Sequence, residues 1–109
     1  MEFVKVLTKA ELSDNQLKVV SAGGKDILLV NLEGAYYAIE NKCSHAGGSL
    51  GNGKLSGNVI TCPRHGAEFD VKTGKNVGEA KLGFIKMKVK DERAYSIKVE
   101  GEDILLGIP

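Results

Sequence analysis

Eight of the 14 glycines lie between residues 46 and 78, at Gly47, Gly48, Gly51, Gly53, Gly57, Gly66, Gly74 and Gly78. No other feature restricts the fold as strongly. Strands disfavour glycine, whereas tight loops use it for positive φ and for close approach of backbone to backbone. The segments on either side alternate apolar and polar residues, which is the signature of strands with one buried face. The chain therefore reads as an all-β framework with a loop-built insert in its middle, at about residues 41 to 78. A structureless loop of this length is uncommon inside a compact domain unless something organises it.

The framework can be read in some detail. In "FIKMKVKD", Ile85, Met87 and Val89 fall on one face and Lys86, Lys88 and Lys90 on the other. In "AYSIKVE", Tyr95, Ile97 and Val99 share a face, and Asp91-Glu92-Arg93 between the two segments reads as a polar hairpin turn. "KDILLVNLEGAYYAIE" reads as two strands joined at Glu33-Gly34, with the run Ile27 to Val30 apolar enough to be buried on both sides. "FVKVL" and "DILLGI" are expected to close the two ends of the chain, and "TKAEL" to form one helical turn capped by Thr8. Tyr36 and Tyr37 read as strand residues, one facing in and one out.

With 109 residues and 42% hydrophobic content, one domain spanning residues 1 to 109 is expected, neither disordered nor membrane-embedded. No apolar run approaches the roughly 20 residues of a spanning helix. The opening "MEFVKVLTKAEL" lacks the apolar core of a signal peptide, so a cytoplasmic location is expected. A net charge of +1 argues against nucleic acid as a partner.

All the soft metal ligands sit in the insert. "NKCSHAGGSL" contains Cys43 and His45, and "TCPRHGAEFD" contains Cys62 and His65; the chain has no other cysteine or histidine. A disulfide is disfavoured in a reducing compartment. Two Cys and two His would satisfy a structural zinc ion. Zinc fingers, however, usually pair Cys with Cys and His with His along the chain, whereas here each loop contributes one of each. That order suits two metal atoms, one bound by both thiolates and one by both imidazoles.

The pattern Cys43-x-His45, a spacer of 16 residues and Cys62-x-x-His65 resembles that of Rieske [2Fe–2S] proteins. Gly47, Leu50, Pro63, Gly66, Asp70 and the "TGK" of residues 73 to 75 extend the resemblance, which covers essentially the whole chain. It implies a Rieske-like antiparallel β-sandwich and one [2Fe–2S] cluster per chain, held by Cys43, His45, Cys62 and His65. It also implies inner cysteines and outer histidines, with electrons moving through the imidazole edges. Quinol-oxidising members of the family carry a disulfide between the cluster loops; the matching positions here are Gly48 and Arg64. They also carry hydroxyl side chains where this chain has Ala67 and Phe69. These departures point to the soluble, low-potential ferredoxins of the family. Many members have a proline-containing loop after the second cluster loop, but "NVGEAKLGF" has no proline, so the third side of the cluster is expected to be covered differently.

By this resemblance the chain is a one-electron carrier between a flavin-dependent reductase and a terminal oxygenase such as one that hydroxylates aromatic rings. It is not itself the oxygenase, because a non-haem iron site needs two further histidines and a carboxylate. A small Rieske-like subunit of a nitrite reductase and a structural zinc module for protein contacts are the alternatives. A monomer is expected. Residues 42 to 75 hold five basic and two acidic side chains, a local +3 that could steer an acidic partner.

Overall fold

The computed structural model describes residues 1–44, 48–82, 85–87 and 89–109. Its strands, in chain order, are β1 (Glu2–Thr8), β2 (Leu17–Ala22), β3 (Lys25–Leu32), β4 (Ala35–Glu40), β5 (Lys54–Ser56), β6 (Val59–Thr61) and β7 (Glu68–Asp70). They continue with β8 (Asn76–Gly78), β9 (Ala80–Leu82), β10 (Ile85–Met87), β11 (Ala94–Tyr95), β12 (Ile97–Glu100) and β13 (Asp103–Ile108). All the pairings among them are antiparallel. One sheet runs β1-β13-β12, a second β11-β4-β3-β2, a third β5-β6-β7-β8, and β9 pairs with β10. Both end segments are strands, and they pair with each other in one sheet, with Glu2 opposite Ile108.

Strand β3 explains why the run from Ile27 to Val30 is apolar throughout. All four residues are fully buried. Ile27 and Leu29 point into a framework core with Leu7, Leu12, Ala38, Ile104 and Leu106. Leu28 and Val30 point the opposite way, into a second core with Ile39, Leu50, Ile60 and Phe69. Because side chains alternate across a strand, one strand can partition two cores only if every position is apolar. The turn into β4 is the expected one: Glu33 and Gly34 have φ of 53° and 93°, the left-handed pair of a tight hairpin whose twist matches its strands. The helical turn is a 3-10 turn at Lys9–Glu11, closed by the Thr8 N–H donating to the Glu11 carboxylate at 3.0 Å. Tyr36 packs on the framework core, while the Tyr37 ring lies 6.0 Å from Lys72 Nζ.

Three elements differ from the reading of the sequence. Asp91-Glu92-Arg93 is not a hairpin turn. The segment before it pairs back on β9, and the strands after it pair with β4 and β13. Glu92 is only 6% exposed. "AYSIKVE" is also not one strand: Tyr95 pairs with Ala38 in one sheet and Ile97 with Leu106 in another, so the chain changes sheets at Ser96. Val99 consequently ends up exposed rather than sharing a buried face. Of the alternation before the triplet, Val89 packs on the second core and Lys90 is exposed, while Lys88 lies outside the described residues. The insert is not all loop either. It contains β5 to β8, each three residues long, below the length at which periodicity can be read.

Candidate metal centre

Two loops project from strand ends at one side of the second core. The first follows β4 and contains Cys43; the second follows β6 and contains Cys62 and His65. Each closes with the same bond. The Cys43 N–H donates to the Gly48 carbonyl at 2.7 Å, and the Cys62 N–H donates to the Ala67 carbonyl at 2.8 Å. Both spans are five residues, so each cysteine sits at the neck of a small closed loop. Gly66 makes the second closure possible: its φ of 75° is a conformation side chains rarely adopt, and its N–H returns to the Cys62 carbonyl.

Cys43 and Cys62 are 1% and 2% exposed and share the apolar cluster with Leu28, Ile39, Ala67 and Phe69. They are not bridged to one another. His65 is half-buried at the rim of the second loop. His45 and Gly47 lie outside the described residues, and among the described residues no three Cys, His, Asp or Glu side chains are close enough to form a metal-binding group. The donor chemistry nonetheless fits a mixed thiolate and imidazole centre. Both thiols belong to one buried apolar cluster, where a thiolate would need a cation beside it, and the imidazole of the second loop is partly exposed.

The loops meet at the positions that carry a crosslink in quinol-oxidising relatives of the resembled family. A Cβ on Gly48 would come within 3.1 Å of Arg64 Cγ, so the aliphatic stem of Arg64 lies against Gly48. Packing occupies the place of a covalent bond. Of the basic residues counted in the insert, Lys42 and Arg64 border the first loop, and Lys90 joins them from outside it. All three are exposed, and none has an acidic partner among the described residues.

Sequence reasoning missed two residues that hold the first loop. Asn41 is 6% exposed; its amide donates to Ser49 Oγ at 2.9 Å and its carbonyl oxygen accepts the Gly51 N–H at 2.8 Å, tying together the two ends of the loop. Glu92 reaches the same loop from 48 residues away, accepting the Ser44 N–H at 2.9 Å, while Ser44 Oγ donates to the Lys90 carbonyl at 2.5 Å. No local pattern marks either residue, since a turn acid and a loop asparagine are ordinarily solvated.

Burial raises the Glu92 carboxyl from 4.5 to about 7; the Ser44 N–H opposes the shift and the nearby Glu40 adds to it. Between those two values the folded chain holds a proton that the unfolded chain has released, so stability falls as pH rises through this window. The loss between about pH 6 and pH 8 should be about 1 kcal/mol. It should vanish in Glu92→Gln, so the difference between wild-type and variant unfolding curves isolates it. Parallel pH profiles for the two proteins would contradict the assignment.

A model of the Rieske [2Fe-2S] domain matches residues 2–86. The chain is 30% identical over 108 residues to the ferredoxin component of biphenyl 2,3-dioxygenase from Rhodococcus jostii (strain RHA1), covering 99% of this chain and 94% of that protein. Among solved structures it is similar to the ferredoxin of carbazole 1,9a-dioxygenase from Nocardioides aromaticivorans IC177, with 31% identity, a TM-score of 0.83 and 97% of each chain covered. It is also similar to a chain in the complex of reduced oxygenase and oxidized ferredoxin in carbazole 1,9a-dioxygenase, with 25% identity, a TM-score of 0.80, and 95% of this chain and 91% of that one covered.

Proposed function

This chain belongs to the Rieske [2Fe–2S] domain family and holds one such cluster, and we propose that Cys43, His45, Cys62 and His65 bind it and that residues 1–109 form a single domain whose cluster-binding unit spans about 41–78. When bound, the cluster supplies reversible one-electron chemistry, neutral when oxidised and −1 when reduced. The protein's part is to hold it and to set its environment. Cys43 and Cys62 present thiolates from a dry core, and His65 offers an imidazole at the surface, a short path for an electron.

The chain is an electron carrier in a multicomponent oxygenase system, accepting from a flavin-dependent reductase and donating to a terminal oxygenase in the cytoplasm. The single observation that carries this reading is the end-to-end match to ferredoxin components of such systems, over 97% or more of this chain. Those relatives serve biphenyl and carbazole oxygenation. The substrate is therefore chosen by the oxygenase and not by the carrier. Lys42, Arg64 and Lys90 ring the first loop and favour an acidic docking face on the partner, because steering acts through exposed unpaired charge. Among the described residues, no helix is long and apolar enough to cross a membrane.

Purified protein should be red-brown, contain two irons and two acid-labile sulfides per chain, and show a reduced-state EPR signal with a low average g value. The reduced form should pass its electron to an external acceptor and form no hydroxylated product from O₂ on its own. Colourless protein with one zinc, after iron-replete anaerobic expression, would overturn the proposal.

A further inference from the structure

The segment from Lys90 to Arg93 is a strap. Its four residues bond three parts of the fold that are distant in sequence. The Lys90 carbonyl and the Glu92 carboxylate both take hydrogen bonds from Ser44 in the first loop. The Glu92 N–H donates to the Gly74 carbonyl at 2.7 Å in the turn after β7, and the Asp91 carboxylate accepts the Asn76 N–H at 2.8 Å at the start of β8. The Arg93 carbonyl accepts the Glu40 N–H at 2.9 Å, anchoring the strap to the framework. Asp91 and Glu92 thus do different things: Asp91 is exposed, while Glu92 is buried and faces the first loop.

A buried carboxylate needs a reason, since desolvation penalises it unless it is well hydrogen-bonded. Here the partner is the amide of Ser44, the peptide that directly follows Cys43. Asn41 braces the base of the loop and the Cys43 N–H closes its neck on the Gly48 carbonyl; the strap adds the two bonds made by Ser44 itself. Once it ionises, above about pH 7, the carboxylate also carries charge. Placed beside a group that becomes more negative on reduction, a negative charge opposes the reduced state.

We propose that Glu92 is a positioning residue for the cluster: accepting the Ser44 N–H, it holds the backbone that follows Cys43, and its charge lowers the reduction potential. The inference rests on the cluster assignment above. Two properties of one side chain are involved, and they separate chemically. Glutamine keeps an oxygen acceptor for the Ser44 N–H and loses the charge; alanine loses both.

The test compares purified holoprotein of the wild type, Glu92→Gln, Glu92→Ala and, as a control for the neighbouring exposed acid, Asp91→Asn. Iron and sulfide content of the wild type decides the cluster assignment by itself. The inference is decided by the variants, through the rate of iron loss to a chelator and the midpoint potential against mediator dyes. Glu92→Ala should release iron several-fold faster than wild type, and Glu92→Gln should restore most of the retention. Measured at about pH 8, where Glu92 is ionised, Glu92→Gln should nevertheless shift the electron-exchange equilibrium about three- to tenfold toward the reduced form, equivalent to about 30–60 mV upward at 59 mV per tenfold. Asp91→Asn should shift it less. If Glu92→Ala does not fold, Glu92→Gln against Asp91→Asn still tests the charge. Iron release from Glu92→Ala at the wild-type rate, or equal release from the Gln and Ala variants, would overturn the positioning role. A potential in Glu92→Gln no higher than in Asp91→Asn would overturn the electrostatic one.

Discussion

Gly74→Ala should lower the unfolding midpoint by more than about 10 °C, and Gly57→Ala by much less. Both glycines have positive φ, 80° and 58°. A side chain in that conformation costs roughly 1–2 kcal/mol wherever it occurs. The surroundings differ. Nothing lies within 4 Å of a Cβ built on Gly57, whereas one built on Gly74 would stand 2.2 Å from the Glu92 carbonyl oxygen and 3.0 Å from its carbonyl carbon. Those atoms are backbone and cannot rotate away. The strap must lift, and the hydrogen bond from the Glu92 N–H to the Gly74 carbonyl goes with it. Strain, clash and a lost buried bond together amount to about 3 kcal/mol or more. Thermal unfolding of the two variants measures this directly. Equal losses would show that backbone strain alone matters and that the close approach of strap and turn is relaxed in solution.

Ala67→Ser combined with Phe69→Tyr should raise the reduction potential by about 60–130 mV, from a starting value toward the negative end of the Rieske range of roughly −150 to +300 mV. Both residues are fully buried in the cluster that contains Cys43 and Cys62, and neither has a side-chain donor. A hydroxyl donating to a cluster sulfur favours the reduced form more, because that form carries the extra negative charge. Hydrogen bonds to charged groups contribute about 1.5–3 kcal/mol. With roughly half of that distinguishing the two redox states, each hydroxyl shifts a one-electron couple by about 30–65 mV. A buried hydroxyl that found no acceptor would instead cost about 1–3 kcal/mol of stability and leave the potential where it was. Protein-film voltammetry together with a melting curve separates the two results. A wild-type potential near the upper end of the range, unmoved in the double variant, would sink the idea that missing hydroxyls set it.

Much of the framework was legible because its signals are local. The Glu33-Gly34 turn is written in two adjacent residues whose backbone conformation decides the hairpin. The double burial of β3 is written in four consecutive apolar residues, since a strand exposes alternate positions to opposite faces. The order of one thiol and one imidazole in each of two loops pointed to a centre of two metal atoms, and the resemblance of that spacing to the Rieske pattern supplied the family and its cofactor. What tertiary structure alone decided involves partners far apart in the chain. The triplet Asp91-Glu92-Arg93 has the composition of a solvated turn, and its neighbours alternate as hairpin strands would. Glu92 is buried because Ser44, 48 residues away, supplies an N–H and Gly74 leaves room for its backbone. Ser96 marks a change of sheet only because Ala38 and Leu106, the partners of Tyr95 and Ile97, belong to different layers. Arg64 packs on Gly48 for the same kind of reason. Periodicity and turn chemistry report what a residue requires of its immediate neighbours. They carry no information about which distant donor will meet a buried carboxylate, and that meeting holds the first loop in place.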